Sequence, residues 1–334
     1  METATIGAGV LWLLVGIALL YGFLNGYSDA AGAIGPLVST GVMRPTQAVL
    51  WVASFVVLAQ TVFGLAVAET VARGLVDPGA VDLAVVLGAL LAALAWNLGT
   101  GWFGLPSSAS HALIGGLAGA AVAHAGVSAL VGPGVLAAAA AVALAPLAAA
   151  AAGIALLLAV SWVFARSSPR RVERGFGRMQ LLSSAARALG QGAADAQKTV
   201  GMLWLLLAAG GAATWDRMPG WVVPSAHLAL GLGTLYGGWR MVRTMGLRLT
   251  PLRPPGGFSA EAGTAAVLAA AAVAGIPVSA SQTTTGGVVG VTSVRKFSAA
   301  RWGLAGRLVW TWVFTMPAAA AIAAAFYSAA RRVL

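Results

Sequence analysis

The sequence contains no cysteine and few charged residues. Only 9% of its 334 residues are charged and 59% are hydrophobic, whereas an ordinary soluble domain has about 25% charged and about 45–50% apolar residues. The lack of cysteine excludes a disulfide framework and any cysteine-based metal or redox site. A soluble globule with so little charge would expose large apolar patches. The composition therefore argues against soluble enzymes, disordered proteins and nucleic-acid-binding modules, and it predicts a protein of the lipid bilayer.

Long apolar runs fill most of the chain instead. A transmembrane helix needs about 20 mostly apolar residues, and stretches 108–125 and 281–294 are short enough to be half-helices or re-entrant hairpins. Stretch 133–165 is long enough to tilt or to break at Pro146. The predicted fold class is an all-α integral membrane protein with about ten transmembrane segments. These segments are 7–24, 47–72, 83–103, 108–125, 133–165, 188–212, 221–242, 259–276, 281–294 and 303–328.

Arginine residues set the predicted orientation. Segment 166–187 contains six arginines and one acid, Glu173. Cytoplasmic loops of membrane proteins are enriched in Lys and Arg, so we predict that this segment is a basic cytoplasmic loop between a first transmembrane repeat, 1–165, and a second, 188–334. Counting the segments outward from this loop places both termini outside.

The two halves of the chain resemble each other weakly. NGYSDA at 25–30 is similar to QGAADA at 191–196, and GLPSSASH at 104–111 is similar to GIPVSASQ at 275–282. Each half has about five segments, an odd number, so the second half must cross the membrane in the opposite direction. Inverted repeats with broken helices are typical of secondary transporters, whose sites lie near the midplane between the repeats. Chance similarity between two small-residue segments is the alternative.

Two acidic residues, Asp29 and Asp195, lie at matching positions of this repeat. A carboxylate at membrane depth costs about 2.5–3.5 kcal/mol on insertion scales, which makes it a functional candidate. We predict that the two aspartates hold a coupling cation or proton, although helix capping remains an alternative. Lys198 lies one helical turn after Asp195 and is expected to pair with it.

The two Pro-x-Ser-Ala-Ser motifs have the pattern of helix starts. Proline is tolerated in a first helical turn, and serine hydroxyls with the free N–H groups of that turn favour an anion. Two carboxylates beside such a site would repel the anion unless cations or protons bind too, and this requirement predicts symport. The alternative to anion binding is that the serines only cap the helices and that the small residues only allow close packing. The predicted anion-binding residues are Ser108, Ser110, Ser279 and Ser281.

Several segments together resemble the inorganic phosphate transporter (PiT) family, in its bacterial low-affinity branch. The resemblance runs through nearly the whole chain, on residues 26–31, 96–100, 103–116, 192–199, 238–246 and 275–279. It implies an inverted-repeat carrier of the bacterial plasma membrane that moves inorganic phosphate with protons or sodium, as a homodimer. In some members the cargo is a neutral metal–phosphate complex, so the resemblance allows a divalent metal to be carried with phosphate.

The resemblance also places the two aspartates and the serines of both motifs in the phosphate and cation site. The chain departs from the family pattern at Gly32, Ala109, Gln191, Ala194, Ala280 and Gln282. The loss of neutral side chains that would complete a sodium shell favours protons over sodium. Supporting roles are predicted for Asn25, Ser28, Asn97, His111, Gln197, Lys198, Thr199 and Gln282.

Two other functions remain open at this point. One is a sulfate permease of the same fold, and the other is a membrane scaffold that does not transport. An enzyme is not expected, because the apolar segments contain no nucleophile–base pair and no cluster of metal ligands, and no cofactor is expected beyond the coupling ion.

Overall fold

The computed structural model describes residues 8–102, 107–245, 252–295 and 302–332. Within these ranges the chain forms eleven α-helices and no strand, apart from isolated bridge pairs. The helices are α1 Ala8–Ser39, α2 Pro45–Leu58, α3 Ala66–Glu69, α4 Leu83–Trp102, α5 Ala109–Ala125, α6 Gly132–Val163, α7 Pro169–Ala209, α8 Val222–Met245, α9 Pro254–Val273, α10 Ala280–Arg295 and α11 Trp302–Ala330.

Helix α1 is longer than the predicted first segment, 7–24. It continues through Asp29 to Ser39 and includes Pro36. The additional turns are helical because they carry a second buried apolar face, with Ala30, Ile34 and Leu37 packed against α2 and neighbouring helices. Asp29 therefore lies inside a continuous helix.

The predicted segment 47–72 is bent. Helix α2 ends in a short 3₁₀ turn, and α3 continues into a π-helical turn, Thr70–Gly74, at an angle of 76° to the first part. The Gln197 side chain of α7 binds the backbone groups that this break exposes: its Nε2 donates to Gly64 O, and its Oε1 accepts from Val67 N and Ala68 N. Non-helical backbone at membrane depth is tolerated where protein groups satisfy it in this way.

The predicted basic loop 166–187 is also corrected, because α7 already begins at Pro169 and runs for 41 residues. Proline favours a first helical turn, and Phe176 and Ser183 bury one face of this early part of the helix. Arg187, which we interpreted as an orientation signal in a loop, is fully buried. The cytoplasmic location of this region stays a prediction.

Several helices have the length and composition of membrane spans. Among the described residues five helices qualify, and a sixth does if the bent pair is one span; the count of ten stays a prediction. Large apolar side chains cover the outside of these helices: Trp12 is 59% exposed, Leu136 71% and Trp162 84%. Such a surface is expected where helices face lipid. Together with the several apolar helices of spanning length, it makes the chain a multi-pass membrane protein. The five spans are Gly9–Ser39, Leu83–Trp102, Gly132–Val163, Pro254–Val273 and Val309–Ala330.

The last helix of each half packs against a short helix of the other half. Helix α5 packs on α4 and on α11, from the second half, while α10 packs on α9 and on α6, from the first half. Matching glycines allow the two close contacts: a Cβ on Gly115 would lie 2.4 Å from Met316 O, and one on Gly286 would lie 2.2 Å from Pro146 O. The two short helices are therefore held in corresponding surroundings.

Candidate functional site

The N-termini of α5 and α10 meet. Ser108 is the N-cap of α5 and accepts a hydrogen bond from His111 N at 3.2 Å. Ser279 has the same relation to α10, where it accepts from Gln282 N at 3.5 Å. The Ser108 hydroxyl donates to Ser279 Oγ at 2.9 Å. Two helix N-termini, each with a partial positive charge, thus converge on one point, which is an arrangement suited to an anion.

The break that starts α10 can be followed in the described residues. Gly275 ends α9 with a positive φ of 68°, a conformation that glycine adopts without strain. Residues 276–279, which include Pro277, are not helical. The corresponding proline of the first motif, Pro106, lies outside the described residues.

The two aspartates lie together between these helix starts, each beside the serine motif of the other half. The Asp29 carboxyl group lies near the Asp195 carboxyl group and the Ser281 hydroxyl group. The Ser110 hydroxyl donates to Asp195 Oδ1 at 3.2 Å. Ser281 in turn lies 3.3 Å from Ser279, measured between the hydroxyl oxygens. The structure therefore brings both predicted acids and all four predicted serines into one cluster.

Lys198 completes this cluster and pairs with Asp195, as expected from their spacing. Its Nζ lies 2.8 Å from Asp195 Oδ1 and 2.6 Å from Ser110 Oγ. A third hydrogen bond, of 2.6 Å, goes to the backbone oxygen of Val278. Both charged side chains are fully buried. One of the two carboxylates is thus neutralised by the protein itself.

Several buried polar groups beside the cluster have no hydrogen-bond partner in the described part of the chain. Buried polar groups are nearly always paired, so a concentration of unpaired ones indicates bound ligand, ions or water. One of these groups belongs to Asp195 itself, and the others belong to residues within four positions of a cluster member. They are the Asn25 amide, both ring nitrogens of His111, Asp195 Oδ2, Thr199 Oγ1 and the Gln282 amide.

Three predicted supporting residues lie elsewhere. Ser28 is exposed, and its hydroxyl donates to Leu24 O and to Asn97 Oδ1, at 2.9 and 3.3 Å. This pair joins α1 to α4 outside the cluster. Gln197 is engaged in the bend between α2 and α3, so its role in the structure is to stabilise that break.

A cavity of about 170 Å³ begins next to the cluster. It lies between residues 31–39 of α1, which follow Asp29, and residues 284–289 of α10, which follow Ser281. Both helices lead from the cluster toward the side that the charge pattern predicts to be cytoplasmic. The lining residues are Ala31, Gly32, Gly35, Pro36, Ser39, Leu252, Thr284, Thr285, Val288 and Val289.

Sequence reasoning missed Tyr21. This buried side chain donates from its hydroxyl to Ala109 O, in the first turn of α5, at 3.2 Å. The spacing of Tyr21, Asn25 and Asp29 places all three on one face of a helix, and this signal was available in the sequence.

A second buried polar network was also missed. Ser183 donates to Glu261 Oε2 at 3.4 Å, and Arg187 donates to Gln191 Oε1 and to Ala33 O, each at 3.2 Å. Glu261 is buried in α9. It lies inside the apolar stretch 259–276, so the sequence held the same signal that identified Asp29 and Asp195.

Several known proteins are similar to this chain over most of its length. The profile of the Phosphate transporter family matches residues 25–323. A Rhizobium meliloti protein named "Probable low-affinity inorganic phosphate transporter" is 47% identical over 98% of both chains. A Mycobacterium bovis protein of the same name is 37% identical over 95% of this chain and 77% of its own length.

One solved structure has the same fold. It is described as "The sodium-dependent phosphate transporter", and it superposes with a TM-score of 0.90 over 98% of this chain and 100% of its own, at 20% sequence identity. The relatives are named as transporters, in agreement with the expectation that the chain is not an enzyme. From the profile match and from the relatives that it resembles over its whole length, the chain belongs to the Phosphate transporter family.

Proposed function

We propose that this protein is a secondary active transporter that carries inorganic phosphate across the membrane together with a proton or sodium ion. The observation that carries the proposal is the crossed cluster, in which the acid of each half lies beside the serine motif of the other. The family and the names of the relatives support phosphate as the cargo.

The anion would bind between the two helix N-termini. Ser108, Ser279 and Ser281 have their hydroxyl groups there, and the hydrogen bond between Ser108 and Ser279 would open to let both hydroxyls donate to phosphate oxygens. Free N–H groups of the first turns of α5 and α10 would add donors. Ser110 was also expected to bind the anion, but its hydroxyl group is hydrogen-bonded to Asp195 and Lys198. We therefore assign Ser110 to the binding of the coupling cation or proton.

The two aspartates would require a cation or proton before the anion binds. With both ionised and Lys198 protonated, the cluster has one net negative charge. Two like charges about 4 Å apart repel by about 4 kcal/mol at an effective dielectric constant near 20, and an entering phosphate would add to this repulsion. A cation or proton at Asp29 removes it, so cation and anion raise each other's affinity reciprocally.

Alternating access would come from the two halves moving around this site. Two observations support inverted repeats, in which access alternates around a fixed site: the two helix starts meet, and α6 and α11 each pack on a short helix of the other half. The cavity between α1 and α10 would be the route to the cytoplasm, with both termini outside. We also expect the protein to function as a homodimer in the plasma membrane.

Reconstitution into vesicles tests the proposal. Labelled phosphate should accumulate when a pH or sodium gradient is imposed, and the gradient that drives it identifies the coupling ion. Unlabelled phosphate and arsenate should compete, and sulfate should compete weakly. Accumulation of labelled sulfate in place of phosphate would identify a sulfate permease, and the lack of uptake under either gradient by folded protein would reject transport.

A further inference from the structure

The ammonium group of Lys198 is surrounded in the way that a bound cation is. Its three protons have three acceptors at 2.6–2.8 Å: a carboxylate oxygen of Asp195, the hydroxyl oxygen of Ser110 and the backbone oxygen of Val278. The group is fully buried. Because an ammonium group has three donors, this environment satisfies it completely.

These acceptors are also suitable ligands for a monovalent metal cation. Carboxylate, hydroxyl and carbonyl oxygens are the ligands that hard cations prefer. Val278 lies in the non-helical stretch between α9 and α10, so its oxygen is not used by a helix. Carbonyl oxygens of unwound transmembrane helices coordinate sodium ions or protons in transporters of this general architecture.

The two halves of the chain differ at this position. With Asp29 matched to Asp195, Lys198 corresponds to Gly32. A Cβ on Gly32 would have no heavy atom within 4 Å, and Gly32 lines the cavity beside Asp29. The place beside Asp29 is thus open, whereas the corresponding place beside Asp195 is filled by the lysine side chain.

We infer that Lys198 is a tethered cation that permanently occupies a monovalent-cation site at Asp195. One exchangeable site is then left, between the Asp29 carboxyl group, Asp195 Oδ2 and the Ser281 hydroxyl. This inference rests on the proposed function, because it specifies which carboxylate takes part in coupling. Asp195 supplies a fixed, neutralised charge, and Asp29 holds the one ion or proton that travels with the anion.

The first test uses purified protein without phosphate. Lys198→Ala removes the ammonium group and leaves the three oxygens. Sodium or methylammonium chloride should raise the melting temperature of this variant by at least about 3 °C relative to choline chloride, beyond any response of the unmodified protein. The double variant Lys198→Ala/Asp195→Asn, which lacks the carboxylate, should not show the additional response.

Two results would overturn the inference. One is a Lys198→Ala variant whose melting temperature responds to these cations no more than that of the unmodified protein. The other is a variant that does not fold in any of the three salts, because a bound cation should replace the ammonium group.

A second measurement needs no variant. The initial rate of phosphate uptake by the unmodified protein should depend on the concentration of the coupling ion with a Hill coefficient of about 1, as expected for one exchangeable site; a value near 2 would contradict the assignment. A complete lack of uptake would reject the proposed function instead, while the melting experiment, which contains no phosphate, would still decide the role of Lys198.

Discussion

Ser108 and Ser279 are separated by 171 residues of sequence, yet their hydroxyl oxygens lie 2.9 Å apart. Ser108 begins the short helix α5, and Ser279 begins the short helix α10. This contact joins the two halves of the chain at the point where both acids and the buried lysine also lie.

The double variant Ser108→Ala/Ser279→Ala should bind phosphate more weakly. A hydrogen bond to a charged group contributes about 1.5–3 kcal/mol, so losing two hydroxyl donors should raise the phosphate concentration for half-maximal uptake at least tenfold. Concentration dependence of uptake in vesicles measures this. Ser128→Ala, in an exposed turn, is the control, and an unchanged half-maximal concentration in the double variant would exclude the serines as anion ligands.

Asp29→Asn should abolish accumulation against a gradient. The amide has nearly the shape of the carboxyl group but cannot hold a proton or a cation by charge, so gradient-driven uptake should fall at least tenfold while the folded protein remains. Asp216→Asn, which changes an exposed acid, should transport normally. Wild-type accumulation by Asp29→Asn would remove this residue from the coupling mechanism.

Gly32→Lys should uncouple the transporter. Gly32 borders open space beside Asp29, and a lysine there would neutralise this acid permanently, as Lys198 neutralises Asp195. We expect phosphate exchange between equal concentrations to persist while gradient-driven accumulation is lost. Gly32→Met adds a chain of similar length without charge and should keep its coupling. If the two variants behaved alike, the effect would be steric and the electrostatic explanation would be wrong.

Gly115→Ala and Gly286→Ala should each destabilise the protein. In both positions the added methyl group would overlap backbone of the neighbouring helix, at Met316 and Pro146, and overpacking of this kind costs about 1–3 kcal/mol. Gly99→Ala is the matched control, since a Cβ there has no heavy atom within 4 Å. Thermal unfolding in detergent measures the difference, and equal melting temperatures for all three variants would contradict this packing.

The elements that sequence reasoning identified correctly are those that depend on neighbouring residues. Ser108 is a helix N-cap as its motif predicts, and Lys198 pairs with Asp195 one turn away. The predicted loop 166–187 failed because a high density of arginine was interpreted as loop structure, although α7 runs through it. The bend in 47–72 was missed because it is stabilised by Gln197, more than a hundred residues later in the chain.

By itself the sequence determined that this is a helical membrane protein, because charge content, apolar run length and helix-start signals are local properties. It also predicts two related halves, each with an acid and a serine motif. Only the tertiary structure decided that Asp29 lies beside Ser281, that Asp195 lies beside Ser110, and that Lys198 fills one of two corresponding places. These contacts join residues 85 or more positions apart. They form because the helices pack crosswise between the halves, and local sequence carries no record of which distant segment will cover a given face.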